Sequence, residues 1–269
     1  MLSERLVATV WPWGVNTREA AELASREVSE IGYKNIESTK ATMYAFDLDH
    51  RAYADMLSRY GQRAVSFYFH IASYGNEEET FKNLERELNF AAELGAGVCL
   101  QASWGRPEVM DERATEYELS LIEKFCTAAS AFGIKPSLHP HYNTWAMYEN
   151  EIDTVFSNIG RGLLGFAPDT AHIAAAGGNP LRVIERHIDR VTHTHFKDIT
   201  APVPYVPSDD APLSSRFCEL GRGCIDHKPI FALLREGGYS GYLCEELDKS
   251  RIGNAASAKI NYDYILENY

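Results

Sequence analysis

The chain has 269 residues, of which 45% are apolar and 24% charged, an ordinary globular balance that excludes a disordered or fibrous protein. Its length matches the roughly 250 residues of one eight-fold α/β barrel, so a single domain spanning 1–269 is expected. The net charge of −12 argues against nucleic acid as a partner, because binding a phosphate backbone takes a basic footprint.

The N-terminal MLSERLVATVWPWG carries Glu4 and Arg5 where a signal peptide would be uninterrupted and apolar. No later run approaches the roughly 18 apolar residues of a membrane span. A cytoplasmic protein without membrane contact is expected. Eight runs rich in β-formers then recur at a period of roughly 30 residues, the length of one strand and helix unit. They are RLVATV (5–10), YKNIES (33–38), AVSFYFH (64–70), GVCLQAS (97–103), IKPSLHP (134–140), LLGFAPD (163–169), RVTHTHFK (190–197) and GYLCEE (241–246). Between them, REAAELASREVSEI and EETFKNLERELNFAAEL return their apolar residues at three and four positions, as amphipathic helices do. Gly32, Gly61, Gly95, Gly133, Gly160 and Gly238 fall where helices should stop. Eight such units favour a closed (β/α)8 TIM barrel over an open sheet, and no GxGxxG or Walker loop follows any strand. The cysteines Cys99, Cys126, Cys218, Cys224 and Cys244 show no CxxC spacing, so they read as reduced thiols, with Cys99 and Cys244 as small core hydrophobes. The stretch 200–223, with four prolines, follows the seventh strand and is expected to overhang the mouth as a lid or specificity loop.

Strand C-termini of such a barrel converge on one mouth. Here they carry Trp11 and Trp13, Glu37, His70, Gln101, His139 and His141, Asp169 and His172, His193 and His195, and Glu245 and Glu246. This concentration of metal-binding side chains points to a divalent cation and to an enzyme. Side-chain alternation puts His193, His195 and Lys197 on one face, and it puts Glu245 and Glu246 on opposite faces without saying which enters the mouth. Lys197 is expected to neutralise charge developing on a substrate oxygen, or else to pair with Asp198 or Glu37. Trp11, Trp13, Tyr68 and Trp104 offer flat faces for the C–H surface of a ring.

Three motifs, DTAHIAAAGGNP (169–180), RVTHTHFKDI (190–199) and LGRGCIDHKPIFALLREGGYSGYLCEELD (220–248), resemble the xylose isomerase-like barrel superfamily of sugar isomerases and epimerases over essentially the whole chain. With HPHYNTW (139–145) the similarity is greatest to inosose dehydratases and related sugar isomerase-like proteins. The resemblance implies one divalent ion, with Mn²⁺, Co²⁺, Zn²⁺ or Fe²⁺ all compatible, held by His139, Asp169, His195 and Glu246. It also implies a keto-sugar or cyclitol as the small-molecule partner. His70, His172, Lys197, Glu37, Trp11 and Gln101 would contact that substrate. The chemistry implied is isomerisation or dehydration through a metal-bound enediolate, with Glu246 as base and His139 or His141 as acid. Which of His139 and His141 touches the metal stays open, as does self-association into a homo-oligomer.

Sugar epimerases of that superfamily have Glu at the strand-five position, where this chain has His139. Loss of the paired carboxylates places epimerisation behind isomerase or lyase chemistry. An endonuclease IV-like phosphodiesterase ranks lower, because Gln101 stands where that family has a ligand His and no Asp-x-His pair follows His195. A barrel that binds a sugar without turning it over is the remaining alternative.

Overall fold

A computed structural model describes residues 1–73, 76–106, 109–207 and 212–269. Among the described residues there are ten strands: β1 (Leu6–Thr9), β2 (Asn35–Thr39), β3 (Arg63–His70), β4 (Gly97–Gln101), β5 (Ser137–His139), β6 (Gly165–Phe166), β7 (His195–Phe196), β8 (Asp198–Ile199), β9 (Phe217–Cys218) and β10 (Leu243–Glu245). Eight of them form one parallel sheet in the order β6-β5-β4-β3-β2-β1-β10-β7. Parallel bridges Phe166 to Val191 and Asp169 to His195 join its two edges, with the amide of His195 donating to the carbonyl of Pro168 at 2.9 Å. The sheet therefore closes on itself, and each predicted strand run lies in the barrel wall.

The helices form where the apolar period demands. In Arg18–Ile31 the buried residues are Ala21, Ala24, Ser25 and Val28, a single stripe. Thr17 caps its first turn by accepting from the amide of Ala20, and Gly32 ends it at φ 119°, a conformation open to glycine. The second pattern is divided: helices Glu77–Phe81 and Leu84–Glu93 are separated at Asn83, whose backbone (φ −125°, ψ 9°) leaves the helical region.

Outer faces of the strands pack on the helices through aromatic pairs such as Phe67 with Phe90 and Phe196 with Phe231. Val7, Val65 and Cys244 form a small separate buried cluster, alternating in β1 with Leu6 and Ala8 of the main core. Cys99 and Cys244 are both fully buried. The stretch after β7 holds more regular structure than its composition predicts. β8 pairs antiparallel with β9, and a short turn of helix occupies Leu213–Ser215. Part of the expected lid, residues 208–211, lies outside the described residues. No helix among the described residues is long and apolar enough to cross a membrane.

Candidate active site

At the end of β6, Asp169 is the N-cap of helix Thr170–Ala175. Its Oδ1 accepts from the amide of His172 at 2.7 Å, which leaves Oδ2 facing the barrel mouth. Thr170 ties the same corner to β7, its hydroxyl donating to the carbonyl of Lys197 at 2.6 Å. Along β7, alternation sends His193, His195 and Lys197 to the barrel interior as expected, while Thr194 bonds to the carbonyl of Tyr242 and Phe196 packs outward on Phe231.

These inward side chains build a chain of charge across the barrel. Glu37 from β2 takes His193 Nε2 at 2.5 Å on one oxygen and lies 2.9 Å from His195 Nε2 on the other. His195 Nδ1 is in turn 2.5 Å from Glu246 Oε2. Lys197 pairs with Glu246 and lies 3.2 Å from Asp248 and 3.5 Å from Asp169. Lys197 thus turns away from both partners expected for it: Glu37 is engaged by the two histidines, and Asp198, on the opposite face of the strand, accepts from the amides of Gly221, Gly223 and Ile225. The two glutamates at the end of β10 part as alternation requires. Glu246 faces the mouth, whereas Glu245 accepts from Asn261 Nδ2 at 2.6 Å on the C-terminal helix Asn254–Asn268.

Electrostatics sort these groups. Burial disfavours the charge on Glu246, but Lys197 and His195 outweigh it and hold the carboxyl well below its usual range. Burial likewise opposes charge on Lys197, and Asp169, Asp248 and Glu246 keep it protonated. Asp169 is the exception, pushed by burial to about 7 despite Lys197. Desolvation drives His141 down to about 4 and holds His139 and His172 well below the usual imidazole range, so these three imidazoles are neutral near pH 7.

A cavity of about 490 Å³ opens over this cluster, walled by Trp11, Tyr68, Gln101, Trp104, His141, His172 and Glu246 among others. Several expected substrate contacts are therefore brought together, and others are not. Glu37 is fully buried beneath the cavity, one layer deeper than a substrate ligand. His70 stands 6.3 Å from the Trp104 ring and is absent from the wall. Trp13 points elsewhere, its indole donating to Glu27 at 2.7 Å. His139 and His141 also separate. β5 ends at His139, which is fully buried in the cluster, while His141 sits on the wall with Nδ1 bonded to the carbonyl of Tyr142 and its ring 3.7 Å from that of His172. Thr39, Leu213, Ser214, Phe217 and Asp248 complete the wall; of these the strand-end pattern includes Asp248, at the end of YLCEELD, without giving it a role. Asp248 carried a signal, being two residues beyond Glu246 and so on the same face of an extended chain. Leu213, Ser214 and Phe217 arrive from the proline-rich stretch 200–223, which the sequence places over the mouth without saying which of its residues reach the cavity.

A family model for the xylose isomerase-like TIM barrel matches residues 25–266. The chain belongs to this family. An inosose dehydratase from Clostridium beijerinckii is 27% identical over 247 residues, spanning 84% of this chain and 79% of the relative. The solved structure of the IolI protein with a zinc atom matches with a TM-score of 0.79 at 16% identity, over 98% of this chain and 97% of that one. L-ribulose 3-epimerase gives 0.78 at 15%, over 98% and 94%. At such identities the two solved structures speak for the fold alone.

In this xylose isomerase-like barrel the buried donor atoms fit a divalent ion. His139, Asp169, His172 and Glu246 bring ligand atoms within 4.8 Å of one another. Both ring nitrogens of His139 and of His195, Asp169 Oδ2 and Glu246 Oε2 are buried without a hydrogen-bond partner among the described residues. The short contacts of His195 to Glu37 and Glu246 are ion-pair approaches that lack hydrogen-bond alignment. Each such atom left unsatisfied costs roughly 1–3 kcal/mol, a cost that coordination removes. His172, expected to bind substrate or orient a ligand, joins this cluster, and His195 adjoins it through Glu246. The mixed imidazole and carboxylate set suits Mn²⁺, Co²⁺, Zn²⁺ or Fe²⁺.

Proposed function

We propose that the protein is a divalent-metal-dependent enzyme that acts on a keto-sugar or cyclitol by removing the proton next to a carbonyl, then isomerising the product or eliminating water. The observation that carries it is that buried ligand atoms of His139, Asp169, His172 and Glu246 lie within 4.8 Å of one another, both nitrogens of His139 and Asp169 Oδ2 being without a hydrogen-bond partner among the described residues, beside an aromatic and hydrogen-bonding cavity. The relatives named inosose dehydratase support the substrate class. His139, Asp169, His195 and Glu246, with His172 adjacent, would hold the ion, which supplies Lewis acidity that polarises the carbonyl.

The protein's own groups do the rest. Glu246, kept as a carboxylate by Lys197 and His195, reaches the cavity and is the base for the α-proton. Trp11, Tyr68 and Trp104 present faces to the ring's C–H surface. The hydroxyl of Tyr68 is fixed by Gln101 Oε1 at 2.5 Å. For elimination, the proton that Glu246 has taken is returned to the departing hydroxyl, which leaves as water, and Lys197, paired with Glu246, steadies the carboxylate between the two transfers. His141 does not serve, because its Nδ1–H is committed to the Tyr142 carbonyl and its Nε2 is bare. A single carboxylate base, with His139 at the strand-five position in place of a second carboxylate, favours isomerase or lyase chemistry over epimerisation.

Turnover of keto-sugars and inososes with added Mn²⁺ or Co²⁺ in D₂O should place solvent deuterium on carbon, or show a primary isotope effect with α-deuterated substrate. Retention of the α-hydrogen with neither effect would overturn proton abstraction.

A further inference from the structure

Building on the sugar chemistry proposed above, we infer that the cavity selects uncharged polyhydroxy ketones and rejects their phosphate esters and acidic counterparts, with Asp248 as a specificity-determining residue. A phosphate monoester brings a charge of about −1.5 to −2, and proteins meet such charge with Arg, Lys or free amides at a helix start. The wall offers none of these. Its hydrogen-bonding groups are hydroxyls and an amide (Thr39, Ser214, Gln101), carboxylates (Glu246, Asp248), and the imidazoles of His141 and His172, whose Nδ1 atoms are taken by the carbonyl and the amide of Tyr142, set among Trp11, Tyr68, Trp104 and Phe217.

Lys197 is the cation beneath the wall, fully buried and surrounded by Asp169, Glu246 and Asp248. With three carboxylates around one ammonium, it has no positive charge left for a ligand. Cations on neighbouring segments are engaged elsewhere: Lys40 with Glu87, Arg106 with Glu151, Arg216 with Thr200 and Pro202, and Arg251 with the carbonyl of Ser215. Lys249, next to Asp248 in sequence, is exposed and does not line the cavity. Helix Thr170–Ala175 starts nearby, but its His172 amide is capped by Asp169. The residues outside the described set, 74–75, 107–108 and 208–211, include no Lys or Arg. A divalent ion held below would have its charge balanced by Asp169 and Glu246, so a phosphate or carboxylate in this cavity would lose water and face the carboxylate of Asp248 without a compensating cation on the wall. The hydroxyls of a neutral polyol find acceptors and flat apolar faces.

The test is calorimetric binding of matched pairs, a ketohexose with its 6-phosphate and a pentulose with its 5-phosphate, together with an inosose, to Mn²⁺-loaded and metal-free protein. The neutral member should bind at least about tenfold more tightly, the equivalent of 1.4 kcal/mol. Asp248→Asn should narrow that gap several-fold by removing one repelling charge. A phosphate ester that binds as tightly as its neutral partner would overturn the inference while leaving a sugar-converting enzyme intact. An unchanged gap in Asp248→Asn would overturn the role given to that residue. Binding of neutral ketoses without turnover would uphold the selectivity and sink the enzymatic reading. Binding of neither class would sink both.

Discussion

Asp169 divides its carboxylate between two tasks, one oxygen capping a helix and the other facing the donor cluster. Glu245 and Glu246 divide similar tasks between neighbouring residues, and substitution separates them. Glu246→Gln should lower kcat by roughly 10² or more, the range for loss of a general base. Glu245→Gln keeps the contact with Asn261 and should be mild. Steady-state kinetics that reversed this order would mean that the base lies on the other face of β10. Glu37 is a positioning residue, bracing His195 from the side opposite Glu246. Glu37→Gln keeps the shape but turns an amide toward one imidazole, and metal affinity should fall by roughly 10- to 100-fold. Chelator competition would check this, and unaltered affinity would reduce Glu37 to a buried counter-charge. Strand ends in the sequence named most of these groups, because alternation is a strict rule. Depth was not legible: nothing in YKNIES says that Glu37 sits under the mouth while Tyr68 and Gln101 reach it.

At the scale of elements, the regular βα units were readable, whereas β8 and β9 were not. Two-residue strands carry no period, and their pairing depends on Asp198, whose oxygens gather the amides of Gly221, Gly223 and Ile225. At Gly223 a side chain would collide with that carboxylate, which gives the LGRGC segment its glycine. Helix Glu112–Ser130 carries a different feature, the fully buried Glu118, which accepts from the Ser103 hydroxyl at 2.7 Å. Burial pushes this carboxyl up to about 7. The folded state therefore binds its proton more tightly than the unfolded state, and the associated stability is complete below about 4.5 and lost as pH rises through about 7. Glu118→Gln stays neutral throughout. Denaturation at pH 5 and pH 8 should show the wild type losing about 2–3 kcal/mol relative to this variant. Parallel pH profiles would show that the carboxyl ionises freely.

Over the whole molecule, eight strands that are distant in sequence deliver their ends to one mouth, which is why isolated histidines become a cluster. The sequence period announced the closed barrel. The pairing that closes it was not legible, since the β6 and β7 segments meet through single bridges at Phe166 and Asp169 and not through a long ladder. The wall contributed by Leu213, Ser214 and Phe217 depends on tertiary packing of an irregular stretch. The central claim, that this mouth holds a divalent ion, is tested most directly by elemental analysis of the purified protein beside Asp169→Ala and His195→Ala. About one Mn, Co, Zn or Fe per chain in the parent, falling to about a tenth or less in both folded variants, is the expected result. Equal metal in all three proteins, or none in the parent after incubation with each ion, would contradict it.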